Sequence, residues 1–286
     1  MNNVFERNLF YGNIAKSRTP FSAVYLAAGL SSRFGYRIKC LQEVGRLGET
    51  LLELSIRQLA KYGLSDIIIV VSRSTYPKVH LVAGDVFQGV PITYCFQETP
   101  SHRKKPLGTV HALLCAKDVI DKAFIVLNGD TLYGEHAICN MVQHIQSNEI
   151  PCMPGYRLED VLPREGKVNR AIVNTERNWL VNIVEHYDIS MEDIRSGLYT
   201  GNELTSMNIF AFRPDIFSFM ENKLRVWLER NSHEPSKEYI LSTMLNDLYS
   251  ETGKRTRVFE TGNIPLELTN PEDFGYVKNN LDLVGF

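Results

Sequence analysis

The feature that most constrains this chain is a series of short, continuously apolar runs, each followed by a stretch of helical periodicity. From Phe21 the run SAVYLAA gives way to TLLELSIRQLAKYG and that to DIIIVVS; ITYCFQ (92–97), a helix over 108–118, AFIVLNGD (123–130) and a helix from Glu135 to Ser147 repeat the pattern. Strands that are apolar without alternation are buried on both faces, and helical segments between them imply a parallel sheet with helices on each side. The spacing therefore predicts an α/β, doubly wound, mostly parallel (Rossmann-like) sheet. Within residues 50–63, Leu51, Leu54, Ile56, Leu59 and Tyr62 form one apolar stripe, and Gly63 supplies the helix stop.

After Pro151 the texture changes to extended segments, VNRAIVNT (168–175), WLVNIVEH (179–186) and TSMNIFAF (205–212), followed by helices near 214–231 and 236–250. These predict added strands and helices, with TRVFET, IPLELT and a helix opening at Pro271 returning to the sheet. Residues 1–20 have no period and form an N-terminal extension. A chain of 286 residues then reads as one domain over 21–286, with a first half to residue 150 and a second over 151–286.

Composition excludes several classes. With 44% hydrophobic and 22% charged residues the chain is neither fibrous nor largely disordered. Its formal charge of -2 lacks the basic footprint of a nucleic-acid binder. Five cysteines without a C-x-x-C pair argue against a disulfide framework or structural zinc. No apolar run approaches the roughly 18 residues of a membrane span, and the first residues lack a signal peptide's apolar core. The expectation is a cytoplasmic protein without membrane or nucleic-acid partners, with homo-oligomerisation left open.

Three segments carry chemistry. LAAGLSSRFG (26–35) directly follows the first strand: Leu26, Ala27, Ala28 and Gly29 allow close approach of backbone to a ligand, Ser31 and Ser32 offer hydroxyls to phosphate oxygens, and Arg33 adds charge. Lys39 is a second cation six residues on. Neither G-x-G-x-x-G nor G-x-x-x-x-G-K-[ST] is present, which sets aside a redox dinucleotide site and a P-loop. LNGD (127–130) places Asp130 and the slender Gly129 at the carboxyl end of a strand, where open α/β sheets bind ligands. Such an aspartate suits Mg²⁺, which takes one or two carboxylates plus substrate phosphates. PLGTVHAL (106–113) opens a helix at Gly108 and Thr109, and Gln97 precedes it on a strand end, so an amide and backbone groups there can read a nucleobase edge. Taken singly, each segment also fits a tight turn, a turn aspartate or an ordinary cap.

In that order, across successive βα units, these segments resemble the sugar-1-phosphate nucleotidyltransferase superfamily. LAAGLSSRFG is similar to its L-A-A-G-x-G/S-S/T-R-x-G signature, Lys39 stands at its signature lysine, PLGT-x-H-A is similar to P-L-G-T-A-x-A, and LNGD carries its G-D. IVEH (183–186) resembles I-x-E-K, MNIFAF (207–212) resembles N-x-G-I-Y-x-F, and LTNPEDF (268–274) resembles D-T-P-E-D-L. The resemblance runs from about Phe21 to Leu283. It implies a sheet of the nucleotidyltransferase type, with a nucleotide-binding first half and an acceptor-binding second half. It also implies transfer of a nucleoside monophosphate from an NTP to a phosphorylated acceptor, most simply a sugar 1-phosphate, with release of pyrophosphate. Arg33, Lys39 and Asp130 would be catalytic, with Asp130 holding Mg²⁺. Leu26, Ala27, Ala28, Gly29, Ser31, Ser32, Gln97, Gly108, Thr109 and Gly129 would bind nucleotide, and Gly155, Glu185 and Asn208 would bind acceptor.

Two positions depart from the pattern. His186 replaces the lysine expected after Glu185, and Thr269, a poor ligand, stands where a second metal ligand, Asp or Asn, is expected; Glu267 or Asn270 could substitute, and Glu267 is grouped with Asp130 as a metal candidate. These departures leave open a cytidylyltransferase acting on phosphocholine or another small alcohol phosphate, with Trp179, Tyr187 and Tyr199 as an aromatic cage. They also leave open a non-catalytic nucleotide sensor. The SHRKKP run (101–106) reads as a solvated loop, and Met207, Phe210, Phe212, Phe217 and Phe219 as core.

Overall fold

The computed structural model describes residues 19–29, 34 and 37–286. The extension before residue 19 therefore lies outside the described residues, as do Ser31, Ser32 and Arg33 of the first loop. The first half builds β1 (Phe21–Leu26), α1 (Leu51–Ala60), β2 (Leu64–Val71), α2 (Tyr76–Ala83), β3 (Val86–Phe87), β4 (Val90–Phe96), α3 (Thr109–Leu114), β5 (Phe124–Asn128), β6 (Thr131–Leu132) and α4 (Glu135–Ser147). The second half continues with β7 (Cys152–Arg157), α5 (Leu158–Val161), β8 (Val168–Glu176), β9 (Trp179–Ile189), α6 (Met191–Arg195), β10 (Leu204–Ser206) and β11 (Phe210–Phe212). It closes with α7 (Ile216–Asn231), α8 (Leu241–Thr252), β12 (Arg257–Glu260), β13 (Leu266–Glu267) and α9 (Asp273–Asn279).

Among the described residues, one sheet of eleven strands, in the order β10-β8-β9-β12-β7-β11-β5-β1-β2-β4-β3, runs through both halves. Its centre, β4-β2-β1-β5, is parallel throughout. The chain winds outward from β1 through β2 to β4, then returns to place β5 on the other side of β1. That reversal between β1 and β5 is a topological switch point, and the crevice at its carboxyl rim is where such sheets take ligands. The second half adds mainly antiparallel partners, with β11 against β5 and β7 and the long β8–β9 hairpin, while β12 runs parallel to β7.

Helices cover both faces. Leu52, Ile56 and Leu59 of α1, Val79 of α2 and Ala137 and Met141 of α4 share one apolar cluster; Val110 and Leu113 of α3, Met220 and Leu224 of α7 and Leu245 of α8 share the other. Met207, Phe210, Phe212 and Phe217 are buried and Phe219 is partly buried, so this aromatic group is core as its sequence indicates. A third cluster joins Leu51 and Leu54 of α1 to Leu132, Leu266, Leu268, Val277 and Leu281, which pins the C-terminal segment beside the switch point. None of the five cysteines forms a disulfide. Among the described residues no helix is long and apolar enough to cross a membrane.

Several expectations change in detail. The helix expected over 108–118 ends at Leu114 and resumes only as a short 3₁₀ turn over Lys117–Val119. TSMNIFAF is broken into β10 and β11 because Asn208 takes a left-handed conformation at φ 57°, which asparagine tolerates better than most side chains. IPLELT does not rejoin the large sheet: β13 pairs with β6 in a separate two-stranded ribbon. The final helix starts at Asp273, two residues after Pro271, because the Asp273 carboxylate accepts the backbone N–H groups of Thr269 and Asn270 and forms a turn first. The SHRKKP loop is not simply solvated. Arg103 is 8% exposed and donates to the carbonyls of Lys105, Glu234 and Lys237.

The start of α1 is set locally. Thr50 Oγ1 accepts from Glu53 N–H at 3.3 Å, and Glu53 Oε2 accepts from Thr50 N–H at 2.7 Å, a reciprocal capping box. Thr50→Ala removes one half of it and is expected to lower unfolding free energy by about 1 kcal/mol, read from the urea midpoint.

Candidate functional site

The two short segments identified at strand ends meet at the switch point. Leu26 and Asn128 are register partners, and Gly129 N–H donates to the Leu26 carbonyl at 3.3 Å. A Cβ on Gly129 would lie 3.4 Å from Cys40 Cβ and 3.7 Å from Ala27 Cβ, so small residues on both strands let the two ends close together. Ala27 and Ala28 are buried and Gly29 is exposed. The remainder of that loop, with Arg33, lies outside the described residues.

Asp130 follows Gly129 into the β6–β13 ribbon, where Thr131 is the register partner of Glu267. This ribbon brings a second carboxylate to the strand end from 137 residues further along the chain, and sequence spacing alone carries no sign of it. Lys39 Nζ stands 3.9 Å from Asp130 Oδ2 and donates to the Thr269 carbonyl at 3.2 Å. Arg170 Nη2 donates to Glu267 Oε2 at 2.9 Å and to the Val161 carbonyl at 2.7 Å; Thr269 Oγ1 donates to the same Glu267 oxygen at 3.0 Å. Thr269 thus holds a neighbouring acid in place. Arg170 was not a sequence candidate. It pairs in register with His186 across β8 and β9, so the two side chains share one face of the hairpin. Beside Glu267 opens a cavity of about 1260 Å³, lined in part by Arg164, Lys167, Arg170, Met207 and Asn270.

The charges do not balance evenly. Burial and the neighbouring charge of Glu267 push the Asp130 carboxyl up to about 6, with Lys39 opposing. Burial also acts to raise Glu267, but the Arg170 guanidinium, the Thr269 hydroxyl and Lys39 hold its carboxyl below the ordinary range. Among the described residues, one acid is therefore satisfied by a fixed cation and the other is short of positive charge. Among the described residues no cluster of three or more potential ligands exists. A divalent cation of the Mg²⁺ type, which accepts one or two carboxylates and completes its shell with substrate oxygens, fits this donor pair.

A second group of polar contacts lies along the same rim at β4. From β4 to β5 is three strand spacings, about 14 Å. Gln97 N–H donates to the Val71 carbonyl, and Gln97 Nε2 donates to the Gly108 carbonyl at 3.1 Å. Gly108 has φ 106°, and a Cβ there would fall 2.3 Å from the Tyr239 carbonyl oxygen, so glycine is required. Thr109 Oγ1 accepts from Leu241 N–H at 2.9 Å and caps α8, and Ser242 Oγ donates to Glu185 Oε1 at 2.8 Å. The segment 239–242 consequently links Gly108, Thr109 and Glu185 into one connected set, and it was not among the sequence candidates. Gly155, on β7, is buried; a Cβ there would meet Leu204 and Val258 side chains at 3.2 Å. Asn208 sits in the turn after β10, its N–H donating to Ser206 Oγ at 3.3 Å.

Two other points bear on the alternatives. Trp179 and Tyr187 lie at opposite ends of β9, eight residues and about 27 Å apart, and Trp179 is covered by the Arg255 and Arg257 guanidinium groups. With Tyr199 they form no three-sided aromatic cage. Tyr133 is a positioning residue that sequence reasoning missed. Its hydroxyl accepts from Asn128 N–H at 3.0 Å and donates to the Met207 carbonyl at 3.1 Å, tying the strand end before Asp130 to the residue before Asn208.

An α/β sheet with small residues, Lys39 and two acids at its switch point, and a buried glutamine amide further along the rim, is a scaffold of the nucleoside triphosphate transferase class. The chain belongs to the MobA-like NTP transferase domain family, whose model matches residues 23–166. It is similar to the UTP–glucose-1-phosphate uridylyltransferase AglF of Haloferax volcanii, with 32% identity over 117 residues, which is 39% of this chain and 44% of that relative. The matched region thus spans less than half of that relative's length. The fold is similar to the UTP-bound UGPase from Acinetobacter baumannii at TM-score 0.64 and 18% identity, over 92% of this chain and 94% of that one. It is also similar to the inositol-1-phosphate CTP transferase of T. maritima at TM-score 0.62 and 17% identity, over 91% and 96%.

Two outcomes test the site. In metal-free protein, carboxyl titration by NMR should place the Asp130 midpoint near 6, and Glu267→Gln should lower it, because a neighbouring negative charge is removed. The folded midpoint lies above the unfolded value of about 3.9. This group's contribution to stability is therefore greatest below that value and is lost as pH rises through the folded midpoint. Separately, Tyr133→Phe strands a buried N–H and a buried carbonyl and should cost about 1–3 kcal/mol in chemical denaturation.

Proposed function

We propose that this protein transfers a nucleoside monophosphate from an NTP to a phosphorylated small-molecule acceptor, a sugar 1-phosphate, forming an NDP-sugar and pyrophosphate. The observation that carries this reading is the convergence of Lys39, Asp130 and Glu267 beside the small-residue end of β1. An acceptor phosphate oxygen attacks the α-phosphorus, a new P–O bond forms, and the bond to the β-phosphate oxygen breaks with its electron pair leaving on pyrophosphate. A phosphate monoester has its second pKa at about 6, so the attacking oxygen is already ionised and needs no general base. The protein's contribution is alignment and charge.

In this reading Arg33 and Lys39 hold the triphosphate, and residues 26–29, Ser31, Ser32 and Gly129 shape the loop around it. Asp130 and Glu267 would hold Mg²⁺, whose positive charge would offset that developing on the phosphate oxygens. Gln97, Gly108 and Thr109 face the base. Glu185, Asn208 and the buried Gly155 shape the acceptor side, where Arg170 shares a face with His186 and supplies positive charge in place of the missing lysine. Five cysteines without a disulfide fit a reducing, cytoplasmic setting.

Pyrophosphate release measured with UTP, dTTP, GTP and CTP, Mg²⁺, and either glucose 1-phosphate or phosphocholine tests the proposal. Turnover is expected with a sugar 1-phosphate. Asp130→Asn should remain folded and lose about 10³-fold or more in kcat, as expected when a charge partner of the transition state is removed. Turnover with phosphocholine alone would move the acceptor to the alcohol phosphates. Stabilisation by NTP with no pyrophosphate from any acceptor would leave a nucleotide sensor.

A further inference from the structure

Gln97 is 7% exposed, and its side-chain orientation is determined by chemistry. A backbone carbonyl can only accept, so the amide atom 3.1 Å from the Gly108 oxygen must be Nε2, since the reversed amide would set two acceptors against each other. The second proton of Nε2 faces His111 Nδ1 at 3.4 Å. That ring nitrogen must therefore present its lone pair, and the single proton of a neutral imidazole then resides on Nε2. His111 Nε2 lies 3.9 Å from Cys115 Sγ, one helical turn further along α3. Burial favours this arrangement, because it holds the His111 imidazole below its ordinary pKa and pushes the Cys115 thiol up to about 11, leaving a neutral sulfur to accept. With both amide protons committed, Oε1 is the remaining group, and among the described residues none donates to it.

We infer that His111 is a positioning residue: a relay from Cys115 through His111 to Gln97 holds the Gln97 amide with its oxygen outward, so the site prefers a nucleobase that offers a ring N–H. Uracil, thymine and guanine carry that donor on the pairing edge. Cytosine and adenine present a ring acceptor there and would face Oε1 with like polarity, leaving an unpaired acceptor in a largely buried position. The inference rests on the proposal that Gln97 faces the base, and it concerns His111, which that proposal does not use.

The test uses the full chain with Mg²⁺. Nitrogen-15 NMR of the free protein should show His111 with its proton on Nε2 and an unprotonated Nδ1. Calorimetric titration should give UTP at least tenfold tighter binding than CTP. His111→Phe, which keeps a ring and removes the acceptor, should reduce that preference by about fivefold, the equivalent of one neutral hydrogen bond. His111→Asn, which can return an acceptor oxygen, should retain more of it. A proton on Nδ1 overturns the relay even if His111→Phe does not fold. Equal affinity of the parent protein for UTP and CTP, or an unchanged preference in folded His111→Phe, overturns the role in base choice. Absence of binding by any nucleotide instead removes the nucleotide reading itself, while the tautomer still decides the relay.

Discussion

Two carboxylates held side by side determine how the rest of the site is built. Asp130 and Glu267 are brought together by the β6–β13 ribbon, and their mutual repulsion must be offset for the ribbon to persist. Arg170 and the Thr269 hydroxyl meet one oxygen of Glu267, and Lys39 reaches toward Asp130 while its ammonium is anchored on the Thr269 carbonyl. The fixed cations answer one acid more fully than the other. A partly buried pair left with residual negative charge is an attractive place for a divalent cation carrying phosphates, because each relieves the other's charge.

The scaffold around this pair explains why it can be held. The parallel centre of the sheet converges on the reversal between β1 and β5, and the third apolar cluster fastens the C-terminal segment against α1. Tyr133 then carries the geometry across the sheet, from the end of β5 to the turn bearing Asn208. A polar chain does the same on the opposite helical face: Tyr239 bonds through its backbone to Leu107 and Val110, Thr109 accepts from Leu241 N–H, and Ser242 donates to Glu185. The first and second halves of the chain are thereby coupled by hydrogen bonds, most of them to backbone groups, which tolerate little displacement.

The resemblance to nucleotidyltransferases rested on loops, and those loops were legible because their chemistry is local. A small-residue turn after a strand, a G-D at a strand end and a glycine opening a helix each announce themselves within a few residues. Arg170 did not, since nothing in VNRAIVNT distinguishes a guanidinium that meets a carboxylate from one in solvent. Arg103 misled in the reverse direction: in a run of basic residues it reads as solvated, yet carbonyls at 234 and 237 bury it. Trp179 and Tyr187 look close in sequence and are separated by the full extension of a strand.

What the amino-acid order determined by itself was the succession of strands and helices, the placement of small and charged residues at strand ends, and the polar turn at Gly108. These follow from periodicity and from conformational limits that act over one or two turns of chain. Only the tertiary structure decided that Glu267 stands across the ribbon from Thr131, next to Asp130, that Arg170 pairs with it, and that Thr109 caps a helix far along the chain. Those pairings join residues separated by roughly a hundred positions or more, and they form only when burial of the three apolar clusters brings distant backbone into register.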